Sequence, residues 1–287
     1  MIIILHFLLT ILVGTSWLIP LIEIEELELI TIHRLINYQQ EFDLSGAVDV
    51  NGNVWIVNDN PGQAYAYKIS LQPSLFQVTD SIEISQLADP DIEGLDYCPE
   101  TGIMFTDEMH NKVYSTIQSE IFDKDLVEVS DGWGSNKGLE GIAVDCDNKI
   151  LYLAKEREPR FIISYDLNLQ QVISVGFNDS EGDISDLKFE NGFLYVLERN
   201  DNLIAKLDAN SMEVISKVSY KSTCSHQDGK LYKNSKYGMG EALLLTNDEI
   251  WVGLDNNGLP FSDHAQSTYG LTGNSPIIIR FKRPAGF

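Results

Sequence analysis

Basic residues are scarce in this 287-residue sequence, which has 20 lysines and arginines against 43 aspartates and glutamates. The formal net charge of −23 argues against a nucleic-acid-binding protein, because such a surface needs clustered positive charge. The same charge opposes docking of a globular domain on anionic lipid. A strongly acidic surface is compatible with binding of cations. We therefore expect no nucleic-acid partner.

Cysteine and the common catalytic signatures are also sparse. The three cysteines are Cys98, Cys146 and Cys224, and none belongs to a CxxC pair or a Cys/His metal spacing. Cys98 and Cys146 occupy matching places in two of the repeats described below. A disulfide between them is one alternative, but the sequence favours two partly buried free thiols. No G-x-S-x-G nucleophile elbow and no H-E-x-x-H zinc pair occurs.

Charge is missing altogether from residues 2–22, where His6 is the only titratable side chain. An apolar run of this length can span a bilayer, which takes about 20 residues. Two interpretations of residues 1–22 stay open: a signal peptide cleaved after Ser16, or an uncleaved membrane anchor. Either one predicts that residues 26–287 form an exported domain, which is periplasmic, secreted or tethered outside the cytoplasm.

A repeated unit organises the rest of the chain. Each copy has an apolar run that opens on Glu-Gly or a variant, then a polar turn, then further apolar runs. The copies start 45 to 56 residues apart, at Ser45, Glu93, Glu140, Ser185 and Glu241. Self-similarity at such a period is typical of repeat architectures.

Periodicity and turn residues predict four strands in each of the first four copies and three in the fifth. The predicted strands are 46–50, 54–58, 64–69, 76–84; 94–98, 103–107, 112–117, 126–130; 141–145, 150–155, 161–166, 171–177; 186–189, 193–198, 203–208, 213–220; and 241–246, 249–254, 276–282. Residues 26–37 read as one more strand of this kind. We predict an all-β fold after the N-terminal hydrophobic helix. It is a β-propeller of five four-stranded blades, closed by the N-terminal strand, with six blades as the alternative.

In an up-and-down blade, the start of the first strand and the end of the second lie on the same face. Besides the five start positions, this arrangement brings to one channel mouth Asp59, Asp107, Glu108, Glu156, Glu198 and Asp255. Two long irregular stretches, 221–237 and 256–275, open on the same face and carry His226 and His264. Loops of this length inside a compact domain are usually functional or disordered.

So many carboxylates near one axis need a counter-charge. A hard cation such as Ca²⁺ is one source, since it takes six to eight oxygen ligands. Internal pairs with the nearby basic residues Lys155, Arg157, Arg160 and Arg199, or hydrogen bonds to strand amides, are the other. The candidate calcium ligands are Glu93, Glu140, Asp186 and Glu241. The candidate ligand-binding residues are Glu156, Glu198, His226, Asp255 and His264.

The segments GLEGIAVD and ILYLAKEREPRFIISYDL of the third repeat, and PDIEGLDY and IMFTDEMHNKVYS of the second, resemble the SdiA-regulated (YjiK-like) family of bacterial β-propellers. DISDLKF, FLYVLERNDNLIAKLD and GEALLLTNDEIWVGLDN fit its later repeats, so the resemblance covers about residues 42–283. A broader likeness links the chain to the esterase-like-activity-of-phytase propellers. The resemblance implies a propeller, an N-terminal membrane segment, export and calcium in the propeller. Because the first, fourth and fifth copies depart from Glu-Gly, a five-fold ring of identical ligands is not expected.

Two functions follow as expectations. One is a monomeric binding propeller that holds Ca²⁺ and recognises a small molecule, glycan or protein on its acidic loop face. The alternative is a metal-dependent hydrolase of phosphoesters or esters, in which His226 or His264 helps to activate a metal-bound water. A purely structural interaction module is a third hypothesis, and the sequence leaves open whether the protein is an enzyme.

Overall fold

The computed structural model describes residues 23–38, 41–60, 64–84, 90–117, 120–126, 133, 137–176, 182–226, 229–236 and 238–287. The predicted N-terminal helix, residues 1–22, lies outside this part. Among the described residues, no helix has the length and apolar character needed to cross a membrane.

Most of the described residues form β-strands. Two strands, β1 (Ile24–Glu26) and β2 (Leu29–Leu35), precede the repeats. Repeat 1 contains β3 (Leu44–Val50), β4 (Asn53–Asn58), β5 (Tyr65–Gln72) and β6 (Leu75–Glu83). Repeat 2 contains β7 (Ile92–Cys98), β8 (Gly102–Asp107), β9 (Lys112–Ser115) and β10 (Glu120–Asp123), followed by a 3-10 turn at Lys124–Leu126.

The next two repeats have the same form. Repeat 3 contains β11 (Leu139–Asp145), β12 (Ile150–Lys155), β13 (Phe161–Asp166) and β14 (Gln171–Gly176). Repeat 4 contains β15 (Ile184–Glu190), β16 (Phe193–Glu198), β17 (Leu203–Asp208) and β18 (Val214–Ser219).

Short elements occupy the two long loops around repeat 5. A helical turn, α1 (Lys221–Cys224), precedes a small hairpin of β19 (Ser225–His226) and β20 (Gly229–Lys230). Repeat 5 contains β21 (Gly240–Leu245), β22 (Glu249–Leu254) and β23 (Ile277–Lys282), with helix α2 (Asp263–Tyr269) between β22 and β23. The sequence did not predict α2. The Ser262 hydroxyl caps its first turn and Gly270 ends it in the left-handed region, with φ of 68°.

The Asn-Gly hairpin turns follow from local backbone preference. Asn51 and Gly52 have φ of 54° and 81°, and Asn191 and Gly192 have φ of 53° and 84°. Two consecutive positive φ values define the type I′ turn, whose twist matches that of the flanking strands. These two turns fix the register of β3 with β4 and of β15 with β16.

The N-terminal strand joins the last repeat to the first. β2 pairs antiparallel with β23, from Leu29 opposite Phe281 to Arg34 opposite Ile277. The end of β2 also pairs in parallel with β6, where Leu35 lies opposite Phe76. The sequence prediction that this strand supplies the fourth strand of the fifth repeat agrees with the observed pairing.

The first strands of the repeats surround one axis. β3 packs against β7, β7 against β11, β11 against β15, β15 against β21, and β21 against β3. The hydrophobic core lies between the stacked sheets, in clusters that each draw on neighbouring repeats. The fold is therefore an all-β propeller.

Glycine and serine at the strand starts allow this close packing. A Cβ atom on Gly94 would lie 2.4 Å from the Glu140 carbonyl oxygen, so only glycine lets these two strands approach. Where the repeats have serine in place of glutamate, the hydroxyls of Ser45 and Ser185 each donate at 2.7 Å to the next first strand, to the carbonyls of Ile92 and Gly240.

Two details differ from the sequence prediction. The fourth strand of repeat 2 is Glu120–Asp123, which pairs antiparallel with β9, and Lys112 pairs at 2.8 Å with both Glu120 and Asp123. Of the strand predicted at 126–130, Leu126 lies in the 3-10 turn and residues 127–130 lie outside the described part. In addition, β1 pairs in parallel with β18 and covers its outer edge.

The prediction of free thiols at Cys98 and Cys146 is also corrected. The structure brings their sulfur atoms into a disulfide between repeats 2 and 3, with Cα atoms 5.8 Å apart. Cys98 ends β7 and Cys146 directly follows β11. These equivalent first strands pack side by side, which brings the two sulfur atoms together. Cys224 is buried and free.

Candidate metal and ligand site at the channel mouth

Two sets of equivalent positions converge at one end of the axis. The second residue of each first strand is Ser45, Glu93, Glu140, Ser185 or Glu241. The residue directly after each second strand is Asp59, Glu108, Glu156, Arg199 or Asp255. All of these except the two serines line a cavity of about 430 Å³, here called the mouth. Its lining residues are Asp59, Asp91, Glu93, Glu108, Glu140, Glu156, Arg157, Asp183, Arg199, Asn200, Glu241, Asp255 and Asn257.

Arginines neutralise one part of the mouth. Arg199 Nη1 donates to Glu241 Oε1 at 2.6 Å, and Nη2 of the same guanidinium pairs with Glu156. Arg157 Nη1 lies 2.9 Å from Glu156 Oε1 and 3.2 Å from Asp183 Oδ2. We call Arg157, Arg199, Glu156, Asp183 and Glu241 the arginine half of the mouth. The internal ion pairs that the sequence offered as an alternative to a cation are therefore present in this part of the mouth.

Five carboxylates form a different environment, which we call the acid half: Asp59, Asp91, Glu93, Glu108 and Glu140. Oxygen atoms of Glu93, Glu108 and Glu140 lie within 4.8 Å of one another, and so do oxygens of Asp59, Asp91 and Glu93. Glu93 belongs to both sets. Glu108 Oε1 accepts a 2.8 Å hydrogen bond from the Gly138 amide. Across the described part of the chain, no donor or cation pairs with the Glu93 or Glu140 carboxylate.

Burial shapes the electrostatics of the acid half. Glu93 is 8% exposed and Glu140 is 5% exposed. Desolvation, and then repulsion by neighbouring carboxylates, raises the pKa of Glu93 well above its usual value. Desolvation likewise raises the pKa of Glu140, against the opposing attraction of Arg199. Burial and nearby carboxylates raise the pKa of Asp59 to about 8 and that of Asp91 to about 6. Asp59 therefore retains its proton at neutral pH unless a cation compensates it, whereas Asp91 does so only in mildly acidic solution.

The four candidate calcium ligands fall in three places. Glu93 and Glu140 come together in the acid half. Glu241 lines the mouth but pairs with Arg199. Asp186 lies deeper on the axis, where Lys188 Nζ is 3.1 Å away and the Leu243 amide donates at 2.7 Å. Asp186 is the third residue of its strand, one position beyond the mouth-lining position.

Three residues of the acid half were not predicted as cation ligands: Asp59, Asp91 and Glu108. Asp59 and Glu108 were recognised only as mouth residues. Asp91 precedes Glu93 by two positions, and strand alternation places such residues on the same side. That spacing was a usable signal in the sequence.

The ligand-binding candidates divide similarly. Glu156 and Asp255 line the mouth. Glu198 is fully buried outside the lining, 3.4 Å from Arg160 and 3.6 Å from Lys217. In repeat 4 the equivalent mouth position is the next residue, Arg199. His264 lies on α2 with its ring 6.0 Å from Tyr269 and does not line the mouth.

The long loops of repeat 5 pack on each other. Tyr232 forms a β-bridge with Phe261, and their rings stack 5.1 Å apart. The Tyr232 hydroxyl donates to the Ser275 carbonyl at 2.9 Å. His226 falls in β19, and its side chain lies outside the described part. The loop after β22 contributes Asn257 to the mouth, which agrees with the expected side of the propeller.

Comparison with known structures supports the fold. Glutaminyl cyclase from Myxococcus xanthus superposes with a TM-score of 0.56 at 11% identity, covering 90% of this chain and 99% of that chain. The computationally designed Ika8 protein has a TM-score of 0.40 at 9% identity, covering 81% of this chain and 62% of its own. U3-55K has a TM-score of 0.45 at 10% identity, covering 82% and 64%. At such identities only the first comparison is informative, and it concerns the fold alone.

A family model provides the sequence-level assignment. The SdiA-regulated model matches residues 76–228, which is more than half of the chain. The matched region contains the Glu-Gly starts of repeats 2 and 3 and the strands of repeat 4. The protein therefore belongs to the SdiA-regulated family.

Proposed function

We propose that the protein is a calcium-binding propeller that recognises its ligand at the acidic mouth. The observation that carries this proposal is the set of oxygens from Glu93, Glu108 and Glu140, all within 4.8 Å of one another. Ca²⁺ binds oxygens at about 2.3–2.6 Å, so opposite ligands of one ion are about 5 Å apart. The spacing of the three carboxylates fits that geometry.

The energetics of burial support a bound cation. Buried carboxylates normally have hydrogen-bond or charge partners, because desolvating an uncompensated charge is expensive. Glu93 has no such partner among the described residues, and Glu140 has only the longer-range attraction of Arg199. Glu156 Oε2 and Glu241 Oε2, on the arginine half, are likewise buried without a hydrogen-bond partner. A cation held by the acid half compensates the Glu93 and Glu140 carboxylates directly.

We also propose five blades. The cyclic contacts of β3, β7, β11, β15 and β21 support this number, as does the pairing of β2 with β23. The described residues contain no sixth first strand. In this arrangement the acid half comes from repeats 1 to 3 and the arginine half mainly from repeats 3 to 5.

The ligand class follows from the two halves of the mouth. A cation on one side and guanidinium groups on the other suit a small molecule or glycan with several oxygen atoms, and a cavity of about 430 Å³ is of the size that binds such ligands. Export is part of the proposal, with residues 1–22 as signal peptide or anchor and the domain acting as a monomer. The Cys98–Cys146 disulfide is in keeping with an oxidising compartment.

The test is thermal unfolding of the full-length protein with Ca²⁺ and with chelator. A cation that binds only the folded state raises the melting temperature by mass action. We expect a rise in melting temperature with Ca²⁺ that is clearly smaller in Glu140→Gln. Glu83→Gln is the matched control, because it makes the same change at an exposed position on β6.

If Ca²⁺ does not change the melting temperature of the native protein, the proposed cation site is wrong. The hypothesis of an interaction module then remains. A calcium-dependent protein that also cleaves phosphoesters, aryl esters or lactones would favour the hydrolase over the binding function.

A further inference from the structure

We propose that the mouth holds two divalent cations that share Glu93 as a bridging ligand. This proposal rests on the proposed function and extends it from one ion to a pair. The ligands divide into an inner site of Glu93, Glu108 and Glu140 and an outer site of Asp59, Asp91 and Glu93.

The outer site has the same ligand spacing as the inner one. Oxygens of Asp59, Asp91 and Glu93 lie within 4.8 Å of one another. Asp59 follows β4 of repeat 1, and Asp91 directly precedes β7 of repeat 2, so backbone elements of two repeats fix the site. Asp59 and Asp91 are partly exposed, whereas Glu108 and Glu140 are buried. The outer site therefore faces solvent and the inner site faces the axis.

Glu93 itself is the independent evidence that a ligand is required. It is 8% exposed and lines the mouth. Its carboxylate accepts no hydrogen bond and joins no ion pair with any described residue. Buried carboxylates rarely lack partners. A bridging role provides partners for both oxygens of this side chain.

Charge balance favours two ions over one. When ionised, the five carboxylates of the acid half carry a formal charge of −5. One divalent cation leaves −3 and two leave −1. Arg199 forms ion pairs with Glu156, Asp183 and Glu241. Its guanidinium also attracts the Glu140 carboxylate, but one positive charge shared in this way does not balance the five carboxylates.

Hard divalent cations are the ligand class, because the donors are all carboxylate oxygens. Mn²⁺ is the probe of choice, since it prefers the same oxygen ligands and has an electron paramagnetic resonance spectrum. Two Mn²⁺ ions that share a carboxylate couple magnetically, whereas an isolated ion gives a simple six-line spectrum.

The experiment is titration of the full-length protein with Mn²⁺, followed by equilibrium dialysis and paramagnetic resonance. We expect two ions per chain, a coupled spectrum, and displacement of both ions by Ca²⁺. Asp59→Asn should leave one uncoupled ion, and so should Glu140→Gln at the other site. Glu93→Gln should weaken both sites at least tenfold. Glu83→Gln should retain two coupled ions.

The failures are distinguishable. One ion with a six-line spectrum in the native protein overturns the pair and leaves the proposed function intact. Two uncoupled ions overturn the shared ligand. No binding of Mn²⁺ or Ca²⁺ overturns both proposals. If Glu93→Gln does not fold, variants of the partly exposed Asp59 and Asp91 decide the question. An unchanged number of Mn²⁺ ions per chain in both Asp59→Asn and Asp91→Asn rejects the outer site.

Discussion

Arg199 Nη1 donates a 2.6 Å hydrogen bond to Glu241 Oε1, joining the end of β16 in repeat 4 to the first strand of repeat 5. Arg199 takes the position that an acidic residue occupies in each of the other four repeats. One substitution in the repeat pattern thereby divides a ring of carboxylates into an arginine half and an acid half. The acid half is what remains for a cation.

Replacing Arg199 should destabilise the fold strongly. Arg199→Ala leaves Glu241 buried without its cation and leaves Glu156 with Arg157 alone. Breaking a buried ion pair in this way costs about 3–5 kcal/mol. Arg199→Lys should recover only part of the loss, because lysine cannot serve two carboxylates with one planar group. Urea unfolding measures both. A change below about 1 kcal/mol in Arg199→Ala, which is typical of exposed pairs, would contradict this role.

The calcium-free protein should lose stability as the pH rises. The pKa of Asp59 is about 8 and that of Asp91 about 6 in the folded state, above the ordinary value of 3.8. Between pH 4 and 8 the folded state therefore binds more protons than the unfolded state, and stability falls with increasing pH.

Calcium should oppose this trend, because the ionised carboxylates bind it, and its affinity should increase from pH 5.5 to 8. Melting temperatures across this range, with chelator and with Ca²⁺, provide the measurement. Asp59→Asn should flatten the chelator curve. A chelator curve that rises toward pH 8 would refute the assignment.

Oxidised protein should have one titratable thiol after unfolding without reductant, namely Cys224. The Cys98–Cys146 disulfide closes a sequence separation of 48 residues, for which chain entropy predicts a stabilisation of about 4 kcal/mol. Reduction, or the Cys146→Ser variant, should lower the melting temperature. Three thiols in protein isolated from an oxidising compartment would show that the bond does not form.

Gly94→Ala should disturb both packing and cation binding. The new methyl group would lie 2.4 Å from the Glu140 carbonyl oxygen, so the first strands of repeats 2 and 3 must separate. Overpacking of this kind costs about 1–3 kcal/mol. It also moves Glu93 relative to Glu140, so the calcium-induced shift in melting should shrink. Gly176→Ala is the control, because the nearest atom to its Cβ is 3.5 Å away, and it should be nearly neutral.

Much of the fold could be predicted from local patterns. Strands such as Ile150–Lys155, Phe193–Glu198 and Glu249–Leu254 have the predicted bounds, because alternation and turn residues define them locally. The fourth strand of repeat 2 was misplaced because Glu120–Asp123 has only four residues, too few for alternation to mark it. Helix α2 was missed because seven residues carry little helical periodicity.

The candidate site was predictable in place but not in composition. Strand geometry brought Glu93 and Glu140 to one mouth, as expected. The assignment of Glu241 and Asp186 depended on partners far away in sequence, Arg199 and the Leu243 amide, which no local pattern identifies. If repeat 4 had been aligned with the others one residue further along, Arg199 would have replaced Glu198 among the predicted mouth residues. The division of the ring into an arginine half and an acid half would then have been visible in the sequence.

The dual pairing of β2 has a consequence for how the chain folds during synthesis. Leu29–Leu35 is made long before its antiparallel partner Ile277–Lys282. Until β23 has been made, the ring stays open and its sheet edges are available to other chains. Ring closure is therefore a late, long-range step that slows folding, and it ends the period in which the nascent chain can pair with a wrong edge.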